Sequence, residues 1–468
     1  MSLYVSLLSA RSFLFACVLL LGLSSQMVYA NQDEQSGTLK KTDTSNTQKA
    51  GFIMPDLPGV SRTMLIVSPE IPMLDMQIKM DVGSSRDPIG KEGLAQLTSA
   101  LIATATGRLT ETQIQDQVAD LALRWSARVD VDAATFSLRV VSKQEIASAA
   151  VALWIEALTD AVFDQALFDR EKQNLMESLK QLDKDPSYRQ EQALMAHLYP
   201  NSVYSRSTSV ASLEKISLND VRKFYQTYYP SAYRSLAVVG DIDESRLMSL
   251  VHFPSAWQIE TKSKFNLLEF DQAASSMLGL MPELKQHLAI SQAHVSVVVA
   301  VPNRQHKDVS ALLVADNWLG GGFGSKITDV IREQNGMAYS AGSIYRPFYD
   351  RGVWEFFLQT KNDQFPRALD MLHQVLDDAM NQGISDMDLK RVKQTLINGF
   401  ALKVDNNQKR LNWLSTLSYY DLPFDYLSAW RDRISAVSRD NVNQVLRNYL
   451  SANRRVSSVI SGPSINLP

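Results

Sequence analysis

The sequence predicts an α+β protein built by tandem duplication of one unit of about 200 residues, an ordinary domain size. Three observations carry this. First, Ile216-Ser-Leu-Asn-Asp-Val-Arg-Lys-Phe-Tyr-Gln-Thr-Tyr228 aligns without gaps on Val437-Ser-Arg-Asp-Asn-Val-Asn-Gln-Val-Leu-Arg-Asn-Tyr449. Second, each of these segments leads into an apolar strand, Ser235–Gly240 in one half and Val456–Ser461 in the other. Third, helices and strands come in runs rather than in strict βαβ alternation, which favours α+β over a doubly wound sheet.

The elements follow in order. Arg11 is the only charged side chain before Asp33, and an apolar run from Ser12 to Leu23 follows it. Val28-Tyr29-Ala30 then supplies small residues at the spacing of a cleavage site. Residues 1–30 are therefore expected to be a secretory signal peptide, cut after Ala30. The apolar run is short for a membrane span of roughly 20 residues. Residues 31–55 are expected to form a flexible lead, being polar and without apolar period over most of their length.

In the first half, Met76–Val82 alternates as a strand and runs into the turn-rich Gly83–Pro88, with a helix from about Gly93 to Thr104. In the second half, Val295–Val301 is a strand, ending in Pro302-Asn-Arg before a helix over Val309–Leu319. Strand Phe136–Val141 precedes a helix around Ala149–Ala161, as Trp354–Gln359 precedes one around Phe365–Met380. The paired helices over 216–228 and 437–449 each open on a Ser-containing cap. The segment 257–284, irregular and preceded by Pro254, is the expected linker. It divides a first domain, 56–256, from a second, 285–468.

Composition removes several classes of function. Lys+Arg 47 against Asp+Glu 50 gives a net charge of −3. Such a chain has no global basic footprint, so no nucleic-acid partner is expected. Hydrophobic residues at 45% and charged residues at 21% exclude a wholly disordered chain. Cys17 is the only cysteine and lies in the expected signal, so the mature chain has no disulfides or thiolates. No two of His197, His252, His287, His294, His306 and His373 stand four residues apart, so no helical zinc pair is present. Leu319-Gly-Gly-Gly-Phe-Gly-Ser-Lys326 lacks the Gly-Lys-Ser/Thr order of a phosphate loop and reads as a glycine-rich helix exit. There is no Gly-x-Ser-x-Gly elbow. Arg332 and Tyr339 flank a Gly-containing turn. A guanidinium fork and a phenol suit the holding of a peptide carbonyl or a developing oxyanion.

Five features together resemble the pitrilysin/insulinase-like zinc peptidases, the inverted-motif group that includes mitochondrial processing peptidase. They are Asp81-Val-Gly-Ser-Ser-Arg-Asp-Pro-Ile-Gly-Lys-Glu-Gly-Leu-Ala95, and Asp183-Lys-Asp-Pro-Ser187 after a long helix. The third is Phe224-Tyr-Gln-Thr-Tyr-Tyr-Pro230 with Leu236–Asp241, and the fourth is Leu319–Ser325 with Ile331–Tyr339. The fifth is the duplication, so the resemblance covers about residues 60–462. It implies two homologous α/β-sandwich domains.

The resemblance fails at one place. Where the family has His-x-x-Glu-His directly after Gly-Leu-Ala, this sequence reads Gln96-Leu97-Thr98-Ser99-Ala100. Glu177 is the remaining candidate for the family's distal carboxylate ligand. One carboxylate is too few, because three protein ligands are expected at such a site. No metal or other cofactor is therefore expected in this chain. The spacing of Arg332 and Tyr339 is similar to a pair that reaches toward the active site in the family. Two-chain members divide the labour between a zinc subunit and an Arg/Tyr subunit.

The resemblance thus implies the non-catalytic subunit of an exported heterodimeric zinc peptidase, periplasmic if the cell is Gram-negative. Arg332 and Tyr339 would act in substrate binding and catalysis. A homologous partner subunit would bring zinc and the general base, and unfolded peptides would be substrates. No membrane partner is expected after signal cleavage. The alternative is an inert scaffold or peptide-binding protein of the same fold.

Overall fold

A computed structural model of the chain describes residues 52–257 and 283–463. The expected signal peptide lies outside the described residues, as do most of the lead and residues 258–282 of the linker. The first half contains β1 (Phe52–Ile53), β2 (Arg62–Val67), β3 (Met73–Met80), α1 (Leu94–Ile102), α2 (Glu111–Asp120), β4 (Arg124–Val129) and β5 (Ala134–Val141). It continues with α3 (Gln144–Thr159), α4 (Gln165–Leu182), α5 (Pro186–Leu198), α6 (Val210–Glu214), α7 (Leu218–Tyr228), β6 (Arg234–Gly240) and α8 (Glu244–Leu250).

The second half contains β7 (Glu283–His287), β8 (Gln292–Pro302), α9 (Val309–Gly320), a π-helical segment (Thr328–Gln334), β9 (Ser340–Pro347) and β10 (Arg351–Lys361). It ends with α10 (Phe365–Gln382), α11 (Asp386–Asn398), α12 (Asn407–Tyr419), α13 (Trp430–Ala436), α14 (Arg439–Tyr449) and β11 (Val456–Ser461).

The sheets repeat the duplication. The first has the order β1-β2-β6-β3-β5-β4 and the second β7-β11-β8-β10-β9. Apart from the short β1, each strand of one sheet has its counterpart in the other, including a parallel β2–β6 pair matched by β7–β11. The matching helices start alike. The Ser217 and Ser438 side chains each accept from the backbone N–H three residues on, and each serine donates its own backbone N–H to the side-chain oxygen of Asp220 or Asn441. Such a cap is worth about 1 kcal/mol.

The structure corrects the expected boundaries at three points. Phe52 and Ile53, placed in the lead, pair with Ile66 and Leu65. Trp257, placed in the linker, is buried in the first core beside Phe253, and the buried Arg234 guanidinium donates to its carbonyl oxygen at 2.6 Å. Glu283 and Leu284 are already strand β7. Apolar residues near a segment's end settle its fate, and composition averaged over the segment hides them.

Each sheet buries one face under its own helices. In the first half, Leu74, Met76, Ile78 and Met80 of β3 meet Leu97 and Leu101 of α1, Val221 of α7 and the α3 helix in one core. The opposite faces are closed by exchange. Leu411, Leu414 and Leu417 of α12 lie on Met64, Ile66, Ala237 and Val239 of the first sheet. Leu194 and Leu198 of α5 lie with Val298, Val353 and Val456 of the second. This is why β6 and β11 are buried at every residue.

A polar knot sits at the same junction. The buried Asp132 carboxylate accepts from Tyr204 Oη at 2.8 Å, Tyr420 Oη at 2.9 Å and the Tyr349 N–H at 2.9 Å. Burial holds its pKa above the usual carboxylate range.

Candidate functional site

The loop before α1 fixes that helix in place. Arg86 donates to the Asp81 carboxylate at 2.7 Å, and Arg206 donates to the Ser85 and Asp87 carbonyls at 2.8 and 2.7 Å. The Asp87 carboxylate accepts from the Gly93 and Ala95 N–H groups, both at 2.7 Å, at the start of α1. Burial outweighs these bonds and pushes its pKa up to about 6. Gly93 has φ +104°, and a Cβ there would approach Thr208 Cγ2 to 2.5 Å.

On α1, Gln96 and Ala100 face solvent while Leu97, Thr98 and Ser99 are buried. Ser99 Oγ shares a hydrogen bond of 2.9 Å with the buried Tyr229 Oη, and Thr98 Oγ1 donates to Leu94 O at 2.7 Å. An amide, a hydroxyl bound inward and a methyl group stand where two imidazoles and a base carboxylate would be needed. On α4, which packs against α1, Glu177 accepts from Gln173 Nε2 at 2.9 Å and from Lys180 Nζ at 2.8 Å. Among the described residues no three His, Cys, Asp or Glu side chains cluster to hold a metal. These residues do not fit zinc, because its ligands are imidazole, thiolate or carboxylate in sets of at least three.

Beside α1 lies β4, the last strand of the first sheet. It pairs with β5 on one side and with no described strand on the other. In an antiparallel strand, alternate residues turn their N–H and C=O away from the partner, so this edge offers free backbone groups. Trp125, Ala127 and Val129 pack on the first core, while Arg124, Ser126 and Arg128 are exposed. A groove of about 530 Å³, lined by Ala103, Ile114, Val118 and Trp125 among others, opens along the start of the strand. The sequence signal for this site is the polar–apolar alternation of Arg124-Trp-Ser-Ala-Arg128-Val129, which nothing local marks as an edge.

Arg332 lies in the π-helical segment, an uncommon geometry that frequently marks functional sites. The turn after it uses Gly336 at φ +59°, whose N–H donates to Arg332 O at 3.0 Å. The Tyr339 N–H donates to Gln359 O at 2.9 Å, which starts β9. The backbone is thus pinned, but the side chains are not. Arg332 is 52% exposed with Glu333 at 3.6 Å, and Tyr339 is 55% exposed. No hydrogen bond joins the two. The glycine-rich stretch before them has Gly322 and Gly324 at φ +118° and +76° and holds Phe323 in solvent.

The fold and this altered helix define a class: a duplicated peptidase scaffold without metal ligands at the expected helix. The chain belongs to the insulinase family, peptidase family M16. Residues 62–211 match the model described as "Insulinase (Peptidase family M16)", and residues 215–396 match "Peptidase M16 inactive domain".

Two curated bacterial proteins are similar over nearly their whole length. An uncharacterized zinc protease of Mycobacterium leprae is 23% identical over 450 residues, covering 92% of this chain and 96% of its own. A non-peptidase homolog of Helicobacter pylori is 22% identical over 414 residues, covering 84% of this chain and 89% of its own. Among solved structures, the periplasmic protease PqqL from Escherichia coli superposes with a TM-score of 0.71 at 16% identity. That likeness covers 96% of this chain and 50% of PqqL, and so shows the fold. No helix of the described residues is long and apolar enough to cross a membrane.

Proposed function

We propose that this chain is the non-catalytic subunit of an exported zinc peptidase. Its homologous partner subunit supplies zinc and the general base. The observation that carries the reading is helix α1, held in place by Asp87 but bearing Gln96, Ser99 and Ala100 in place of ligands and base. With Glu177 engaged by Lys180, this chain has no means there to activate a water.

The two exposed donors, Arg332 and Tyr339, support a role toward a group outside this chain. In the assembled pair they hold the peptide substrate and donate to the oxyanion that forms on the scissile carbonyl. The unpaired β4 edge supports a second contribution: it accepts an extended peptide segment by adding it as a further strand. The expected signal at residues 1–30 supports export, with the periplasm as the compartment in a Gram-negative cell.

The test is reconstitution of the mature chain with a co-purified family member that carries His-x-x-Glu-His. Zinc-dependent turnover of an unfolded peptide is expected only with both chains present. Arg332→Ala and Tyr339→Ala should each lower kcat by about 10²–10³, the usual loss for an oxyanion donor. Unchanged turnover in both variants would refute the clamp. The other reading, an inert scaffold or peptide-binding protein, is favoured by the inward Ser99–Tyr229 bond, which makes the old ligand position part of the packing. Recovery of a stable homodimer with no catalytic partner would establish it.

A further inference from the structure

The face of the first sheet that α12 covers is not covered to its end. Cross-strand register makes the uncovered part readable as rows. Asp75 of β3 stands opposite Arg139 of β5, which stands opposite Arg124 of β4. Gln77, Ser137 and Ser126 form the next row, tied by a Gln77–Ser137 hydrogen bond of 2.9 Å. Lys79, Thr135 and Arg128 form the third. Exposure rises along the first row: Asp75 is buried, Arg139 half-buried and Arg124 exposed.

The charges along these rows do not close. Asp75 takes up Arg139 at 3.2 Å. Lys79 is met by Asp130 at 3.6 Å and by the rings of Tyr419 and Tyr420. Arg124 and Arg128 have no hydrogen bond or ion pair among the described residues. Arg124 also stands directly opposite a like charge, an arrangement that costs stability unless an anion intervenes. The row runs minus, plus, plus, and lacks a minus at its outer end.

The geometry points to a specificity for this edge: β4 takes extended peptides with acidic side chains four residues apart. This rests on the reading of β4 as a peptide-accepting edge. A strand added outside β4 places its directly opposed residues on the same face as their partners, so two of them meet Arg124 and Arg128. Those positions are four residues apart, about 13 Å in an extended chain. The residue between them faces Ser126. The two alternate residues fall on the other face, level with the apolar Trp125 and Ala127, which favour apolar neighbours. The groove of about 530 Å³ beside Trp125 is lined by polar as well as apolar side chains, Glu111 and Gln115 with Ile114 and Val118. The expected pattern is acidic–apolar–any–apolar–acidic.

The test uses the full mature chain and three fluorescein-labelled nonapeptides that differ only at the two positions four apart. These carry Glu, Gln or Lys, and binding is read by anisotropy at low salt. Two new cross-strand ion pairs correspond to about a two- to thirtyfold advantage for the Glu peptide over the Gln peptide. That advantage should shrink as salt rises. In Arg124→Glu/Arg128→Glu the preference should pass to the Lys peptide, and in Arg124→Gln/Arg128→Gln it should vanish with the Gln peptide bound as before. Both arginines are exposed, and circular dichroism checks that each variant is folded. Equal binding of all three peptides would overturn the specificity and leave the edge reading standing, the arginines then merely guarding the strand against aggregation. If none of the three binds, the edge reading itself falls, and the specificity with it.

Discussion

Strands β4 and β9 hold the same place in two sheets of one strand order, yet they meet solvent with different chemistry. On β4, Arg124 and Arg128 point outward without a counter-charge, and the groove at the start of the strand mixes polar and apolar side chains. On β9, Arg346 is held by Glu191 at 2.6 Å and by Glu355 at 3.2 Å. The donors nearest that edge are instead Arg332 and Tyr339, just before the strand begins. The two halves share one strand order, while the side chains on their outermost strands differ. Copies of one unit hold their packing because every buried side chain has many neighbours to satisfy. A single row of side chains at a sheet edge has few, and is free to change.

The largest effect should come from breaking the likeness itself. Leu414 of α12 and Leu194 of α5 are both buried against the opposite half's sheet. Leu414→Ala and Leu194→Ala should each cost about 2–5 kcal/mol. Each should unfold both halves in one transition, as seen by differential scanning calorimetry. Separate melting of one half would show that the exchange is not reciprocal.

A smaller effect separates the α1 loop from its counterpart. Asp87, with its pKa raised to about 6, is favoured in its neutral form by the folded state. Its contribution is fully present below the ordinary carboxylate pKa near 3.8 and is lost as pH rises through about 6. The loss is on the order of 1–3 kcal/mol. Urea melts of the wild type and Asp87→Asn between pH 4 and 7 should show the slope only in the wild type.

The paired caps offer a finer comparison. Ser217→Ala and Ser438→Ala should each lower stability by about 1 kcal/mol, and by similar amounts if the duplicated helices are energetically equivalent. The smallest effect tests the edges. Glu191→Gln removes one of two partners of Arg346 and should cost no more than about 1 kcal/mol in thermal melts. It should nevertheless bring the charge of β9 closer to that of β4.

Much of this fold was legible in the sequence. The strands expected at Met76–Val82 and Val295–Val301 and found at Met73–Met80 and Gln292–Pro302, the helices after them and the two Ser-capped helices near the ends of the halves all follow local period and capping. The change on α1 needed the resemblance as well, which says that Gln96, Ser99 and Ala100 stand where the family has ligands and base. The exchange of α5 and α12 was not legible. An amphipathic helix announces that it has a buried face, but not which sheet will bury it. The free arginines were hidden for the same reason. Arg124 and Arg128 alternate visibly, but their meaning depends on β4 being an outermost strand, and strand order is set by contacts distant in the chain. The π-helical segment at 328–334 has no local sign, since the residues that widen a helical turn are those that also build an ordinary one.

The exchange also sets an order in time. A ribosome completes the first sheet when it reaches Gly240, but the side chains that dry its second face, Leu411, Leu414 and Leu417, come much later in the message. Until then Met64, Ile66, Ala237 and Val239 remain wet on the nascent chain. A chain interrupted between the halves would therefore leave an adhesive sheet rather than a working domain, and gene halves expressed separately should need each other to stay in solution.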